Sequence, residues 1–392
     1  MAATTGDLYD GLKVIDVDAH WSEPHDLWTS RAPAKYRDRV PQVKELNGKR
    51  MWYIEDIPLS RLSATSAIGP QGEKILGTQF FKLDIDEVHP GCSQVDGRLQ
   101  LMDELGLFAQ IQYPNIAGFG NQNFLRVEDA ALRIACTQIY NDYMAQVQAD
   151  SGGRILPMAL IPWWEPDAVA AEVERCHAMG LRGIVTCSNP NDVGLPYLND
   201  PVWDPMWEAC QALRMPVNFH IGASAGDLNF FGSAPWKTFN GEVKLSLGSA
   251  NLFLGNARVV SNMLFSGVLE RFPELKFVSV ESGIGWIPFL LEALDYQFEE
   301  TNPTDRGNMT MRPSDYFRRQ FYGCFWFESA MIPASIDYLG DDCVMFMTDI
   351  PHPTSLYPHA LERQQALMAK LTPGTRRKVL QDNAAKLYNI TL

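Results

Sequence analysis

Residues 13–20 read KVIDVDAH, and the reading of this stretch decides the fold. Valine, isoleucine and alanine alternate with acids and a histidine, the pattern of a strand buried against other chain on both faces. Because strand side chains alternate between faces, Asp18 and His20 point the same way, toward the C-terminal end of the sheet. A carboxylate and an imidazole two residues apart can converge on one cation. Asp16 shares their face one step deeper, where it suits a hydrogen-bonding role behind them.

Seven further apolar runs follow outward from this strand: FAQIQYP (108–114), RILPMALIP (154–162), LRGIVTC (181–187), MPVNFHIG (215–222), LKFVSVES (275–282), RQFYGCFWFE (319–328) and DCVMFMTD (342–349). Amphipathic segments lie between them, such as VEDAALRIACTQIYNDYMAQVQAD, EPDAVAAEVERCHAMG and DPVWDPMWEACQAL, each starting at or beside an acidic or capping residue. Short buried strands alternating with helices predict an α/β fold with a parallel sheet. Eight such units in 392 residues predict a single (β/α)8 TIM-barrel domain over 1–392. An open doubly wound sheet is the alternative, but neither GxGxxG nor GxxxxGK[ST] follows a strand.

Two stretches break the repeat. Residues 21–95 read as an insertion after the first strand, a lid over the mouth, and residues 223–250 as a long loop after the fifth. They carry Trp21, Trp28, Trp52, Tyr53, Phe230, Phe231 and Trp236. Any one of these rings suits a small core under a loop. As a group they predict an apolar pocket wall.

Other strand ends carry ligand-type residues too. The fifth ends NFHIG with His220, the sixth runs into Glu281, and the eighth ends MTDIPHP with Asp349 and, just beyond, His352. His220 alone would suit a hydrogen-bonded core role. An aspartate closing a buried strand has no such easy role, because an unpaired buried charge costs several kcal/mol. The coincidence of four strand ends predicts a metal site at the level where barrel enzymes place their chemistry. Glu23 and His25 read as loop or capping residues, and His89, His177 and His359 as surface or helix residues.

The formal charge of −14 argues against nucleic acid or an anionic membrane as the main partner and leaves a small molecule as the expected one. Seven dispersed cysteines with no CxxC predict buried thiols in a reducing compartment. No apolar stretch reaches bilayer length, and MAATTGDLYDG is no signal peptide, so a cytoplasmic location is expected.

Taken together, DxDxH at the first strand, WSEPHDLW, HxG at the fifth, ERFPELKFV, the glycine-tryptophan run after the sixth and TDIPHP at the eighth resemble the amidohydrolase-related family. That family includes aminocarboxymuconate semialdehyde decarboxylase and related decarboxylases and hydrolases of aromatic acids. The resemblance implies one divalent metal held by Asp18, His20, His220 and Asp349, and a homodimer. The sequence departs from the decarboxylases at the sixth strand, where ESGIGW puts Glu281 in place of their histidine. Glutamate there could be a general acid or base, or a further metal ligand. ESGIGW also resembles TIM-barrel non-haem diiron monooxygenases, some expected to use CoA-linked substrates.

The expected function is therefore metal-assisted hydrolysis or non-oxidative decarboxylation of a small carbonyl or carboxylate compound. Asp349 would move the proton while Glu281 and His352 orient the substrate. Zinc, manganese and iron all suit mixed Asp, His and Glu ligands. The alternative is an iron-dependent oxygenase with two irons, Glu281 and His352 helping to hold the second. A non-catalytic binding barrel ranks last.

Overall fold

The computed structural model describes residues 8–46, 48–227 and 236–392. Strand β1 (Ile15–His20) is followed by three antiparallel strands, β2 (Gln42–Leu46), β3 (Lys49–Ile54) and β4 (Ile57–Arg61). Eight short strands come after them: β5 (Ala109–Tyr113), β6 (Ile155–Pro157), β7 (Ala159–Leu160), β8 (Ile184–Val185), β9 (Val217–His220), β10 (Phe277–Val280), β11 (Phe321–Phe325) and β12 (Val344–Phe346).

The parallel strands form two arcs, β1-β5-β6 and β7-β8-β9-β10-β11-β12. Met158 alone separates β6 from β7, so one extended run serves both arcs. Its amide donates to Gln112 O (3.0 Å) on one side, and that of Ala159 to Gly183 O (2.9 Å) on the other. At the far junction Ala19 and Ile350 form a parallel bridge. There His20 N donates to Ile350 O (2.7 Å) and Asp349 N to Asp18 O (2.8 Å). The first and last strand ends are thereby tied backbone to backbone. The result is an α/β architecture whose parallel strands are buried on both faces.

Local chemistry explains the helix starts. The Asp129 side chain accepts from Ala131 N and Leu132 N and opens helix Ala130–Asp150. A proline in the first turn, where its missing N–H is no loss, opens Pro166–Ala178 and Pro313–Gln320.

Several expected boundaries move. LRGIVTC shortens to Ile184–Val185 as a paired strand, and RQFYGCFWFE begins pairing only at Phe321, because Arg319 and Gln320 still belong to the preceding helix. Asp349 is not the last residue of its strand: β12 stops at Phe346 and Asp349 stands in the turn beyond. Residues 21–95 contain the β2-β3-β4 sheet, and residues 223–250 are not simply a loop, since helix Gly241–Leu252 begins within them.

The expected aromatic wall is corrected as well. Trp21, Trp28, Trp52 and Tyr53 are buried core residues. Trp28 packs edge-on to Trp52 at 5.7 Å, and its Nε1 donates to Cys136 O (3.0 Å). Trp236 is exposed, while Phe230 and Phe231 lie outside the described residues.

Candidate metal centre

Six side chains from four strand ends meet in one buried cluster. Asp18 and His20 close β1, His220 closes β9, Glu281 follows β10, and Asp349 and His352 follow β12. One ligand atom each from Asp18, His20, His220 and Glu281 lies within 4.8 Å of the others, as does one each from His20, Glu281, Asp349 and His352. Asp349 thus joins the cluster beside the first group, which Glu281 completes.

His220 donates its Nδ1 hydrogen to Ile221 O (2.8 Å), which leaves a lone pair on Nε2. That Nε2 stands 3.3 Å from His20 Nε2, 3.4 Å from Asp18 Oδ1 and 3.3 Å from Glu281 Oε2. His20 Nε2 is itself 3.4 Å from both Asp18 Oδ1 and Asp349 Oδ1. The two imidazole nitrogens are within hydrogen-bond reach of each other, whereas the carboxylate oxygens stand close to them without hydrogen-bond geometry. Both oxygens of Asp18 and Oδ1 of Asp349 are buried with no hydrogen-bond donor among the described residues. Ligand atoms about 2.1 Å from a dication stand roughly 3.0 to 3.4 Å apart in octahedral or tetrahedral arrangements. The observed spacing and the orphaned oxygens therefore fit a divalent cation, and few other species could satisfy them.

Electrostatics agree. Burial raises the Asp18 carboxyl well above its ordinary range, and repulsion from Asp349 adds to this. Burial likewise raises Glu281, with Asp349 and Asp18 repelling it. Burial lowers His20 far below the usual imidazole value and takes His220 down to about 4. Burial would raise Asp349 too, but the neighbouring His352 and His20 rings outweigh it and hold that carboxyl low. Without a cation the carboxylates cannot all stay charged. With one, they can.

Backbone and neighbouring side chains aim these groups. Glu281 (φ 52°) and Asp349 (φ 61°) both occupy the left-handed region, unfavourable for residues with a Cβ and typical of functional positions held by their surroundings. Asp16 accepts from Gln110 Nε2 (2.8 Å), Thr348 N (2.8 Å) and Thr348 Oγ1 (2.5 Å), and so links β1, β5 and the end of β12. Burial pushes its carboxyl up to about 7. The buried Arg98 guanidinium donates to His20 O (2.7 Å), Gln110 Oε1 (3.1 Å) and Gly91 O, fixing the β1 terminus from behind.

His352 stands at the rim. Its Nδ1 is 3.0 Å from Asp349 Oδ1 and its Nε2 is 2.8 Å from Asn115 Oδ1. Asn115 Nδ2 donates to Trp21 O (3.1 Å), which turns Oδ1 toward the ring and makes His352 Nε2 a donor. Asn115 was not foreseen from the sequence, and neither was Thr354, whose hydroxyl donates to Asp349 Oδ2. Their position just past strand ends was the only available signal.

The remaining candidates lie elsewhere. The Glu23 carboxylate accepts from the amides of Asn115, Ile116 and Ala117, so it shapes the loop that carries Asn115. His25 pairs with Asp84 (2.9 Å), and His89 accepts from Gly91 N (3.0 Å). His177 lies on helix Pro166–Ala178 and His359 directly precedes helix Ala360–Met368, both outside the two four-residue groups.

Parallel strands that gather acids and imidazoles at their C-terminal ends define a class, the metal-site α/β scaffold. Within it, the sequence profile described as amidohydrolase matches residues 15–390, and the chain belongs to the amidohydrolase family. It is 23% identical over 378 residues to 2-amino-3-carboxymuconate-6-semialdehyde decarboxylase of Dictyostelium discoideum, covering 93% of this chain and 91% of that one. Among solved structures it resembles an amidohydrolase from Mycobacterium avium subsp. paratuberculosis K-10, with a TM-score of 0.74, 21% identity and coverage of 96% and 99% of the two chains. It also resembles dihydroxybenzoic acid decarboxylase from Polaromonas sp. JS666, with a TM-score of 0.62, 19% identity and 97% of each chain covered. That structure holds manganese and the inhibitor 2-nitroresorcinol. Two of these relatives are named decarboxylases and the third an amidohydrolase, and nothing in them supports the diiron reading.

Proposed function

We propose that the protein is a metal-dependent, non-oxidative decarboxylase of a small carboxylate compound. The observation that carries this reading is the buried set of unsatisfied Asp18 and Asp349 oxygens facing the His20 and His220 Nε2 atoms. Decarboxylase relatives, one of them with manganese bound, support the choice of reaction. The two parallel arcs and their junctions are read as a closed (β/α)8 barrel forming one domain over 1–392, with 21–95 as its lid.

In this reading Asp18, His20, His220 and Glu281 would hold the cation, and Asp349 stands beside them in the cluster. A dication held by these residues would supply Lewis-acid polarisation of a substrate oxygen. His352 Nδ1, 3.0 Å from Asp349 Oδ1, would carry the proton, with that carboxylate balancing its charge, and deliver it to the carbon that carries the carboxylate. The carbon–carbon bond then breaks, its electron pair returns to the substrate, and carbon dioxide leaves. Asn115 keeps the His352 ring in place by accepting from Nε2.

A homodimer is part of the proposal. It draws support from Phe289 and Tyr296, seven residues apart on one face of helix Ile287–Glu300, which are 77% and 61% exposed. Seven buried, unpaired cysteines support a reducing, cytoplasmic setting, and no described helix is long and apolar enough to cross a membrane.

The test is carbon dioxide release from a panel of hydroxybenzoates by manganese-loaded protein under nitrogen. Turnover that persists without oxygen and stops with a chelator supports the reading. Turnover that requires oxygen and an electron source overturns it.

A further inference from the structure

A cavity of about 500 Å³ opens above Glu281 and His352. Its wall carries Phe80 and Phe81 from the insertion, Phe119 from the segment after β5, Leu245 and Phe253 from the region of helix Gly241–Leu252, and Phe327 from beyond β11. An apolar cavity of about 150 Å³ accommodates a benzene ring. The space here is roughly three times that, and most of its wall surface is apolar, with five phenylalanines among the lining residues.

The charge of the wall is as informative as its size. The ionisable residues lining it are His352, Glu281 and Glu242, and no lysine or arginine is among the described lining residues. Residues 228–235, LNFFGSAP, contain neither type. Glu242 is fixed at the outer part of the cavity, accepting from Thr78 Oγ1 (2.6 Å) and Thr78 N (3.1 Å). This contact also joins the insertion to helix Gly241–Leu252 across the opening. Those two hydrogen bonds hold the Glu242 carboxyl below its ordinary range, so it stays charged.

A substrate carboxylate at the metal centre meets a cation there. A second anionic group farther out meets Glu242 and, among the described lining residues, no lysine or arginine. We propose that the substrates are monoanionic carboxylates with an apolar body of two fused rings or similar size, and that Glu242 rejects compounds carrying a second anionic group. CoA thioesters, with several phosphate charges, fall outside this class. The inference rests on the decarboxylase reading and specifies its substrate.

The experiment is titration calorimetry of manganese-loaded protein at neutral pH with salicylate, a hydroxynaphthoate and a hydroxynaphthalene dicarboxylate. The hydroxynaphthoate is expected to bind at least about tenfold tighter than salicylate, because the second ring buries further apolar surface. It is expected to exceed the dicarboxylate by a similar factor. Glu242→Gln, which retains an acceptor for Thr78, should narrow the second ratio, and Glu242→Lys should reverse it. Equal binding of salicylate and hydroxynaphthoate, equal binding of the dicarboxylate to the unaltered protein, no binding of the two-ring probe, or an unchanged ratio in Glu242→Lys would each overturn the proposal. Two-ring preference without any carbon dioxide release upholds it while rejecting decarboxylation. Release from salicylate without preference does the opposite.

Discussion

The His352 ring lies flat on the His20 ring, with centroids 3.6 Å apart and planes 16° from parallel. One residue ends β1 and the other follows β12, so this stack closes the cluster on the side where the two terminal strands meet. It also puts His352 Nδ1 beside Asp349 and Nε2 beside Asn115, leaving both nitrogens engaged by oxygens rather than by solvent.

Replacing His352 with glutamine removes the proton relay but none of the four donors of the first group. Turnover is expected to fall by roughly 10²–10⁴-fold while manganese content stays near that of the unaltered protein. Elemental analysis alongside kcat decides it. Parallel loss of metal and activity would show that His352 holds the ion instead.

Asp18→Asn should separate metal binding from folding. Asp18 is repelled by Asp349 when no cation is present, so its neutral form relieves strain in the metal-free protein. The metal-free variant is expected to unfold at the same temperature or higher, and manganese affinity to drop at least about 100-fold. A lowered melting temperature of the metal-free protein, with affinity unchanged, contradicts this.

The effect of pH follows from the same charges. Asp18 and Glu281 have raised pKa values in the metal-free protein, so they bind protons at pH values where free carboxyls would not. A cation must expel those protons, and acid competes with it. The rise in melting temperature at fixed manganese should therefore grow with pH and shrink on acidification. It should vanish as pH falls toward about 4, where His220 also takes up a proton. A manganese effect independent of pH would rule out these ligands.

Arg98→Met tests the support behind the site. The change leaves His20 O, Gln110 Oε1 and Gly91 O without their buried donor. Destabilisation of roughly 3 kcal/mol is expected in chemical denaturation, together with weaker manganese binding through the loosened β1 end. A loss below about 1 kcal/mol would mean water replaces the guanidinium.

The sequence by itself determined which residues could bind a cation and on which elements they sit. The two-residue period of a strand puts Asp18 and His20 on one face, and the alternation of apolar runs with amphipathic segments sets the α/β class; both are local properties. Exact strand limits were less legible, because residues such as Leu181 and Cys187 are buried like strand residues but take no part in the ladder. Only the tertiary structure decided that Glu281 approaches His220, that His352 stacks on His20, and that five scattered phenylalanines line one cavity while the insertion's tryptophans form core. Those contacts join residues up to hundreds of positions apart through loops that have no periodicity, and their positions follow from how the elements pack rather than from any repeat in the chain.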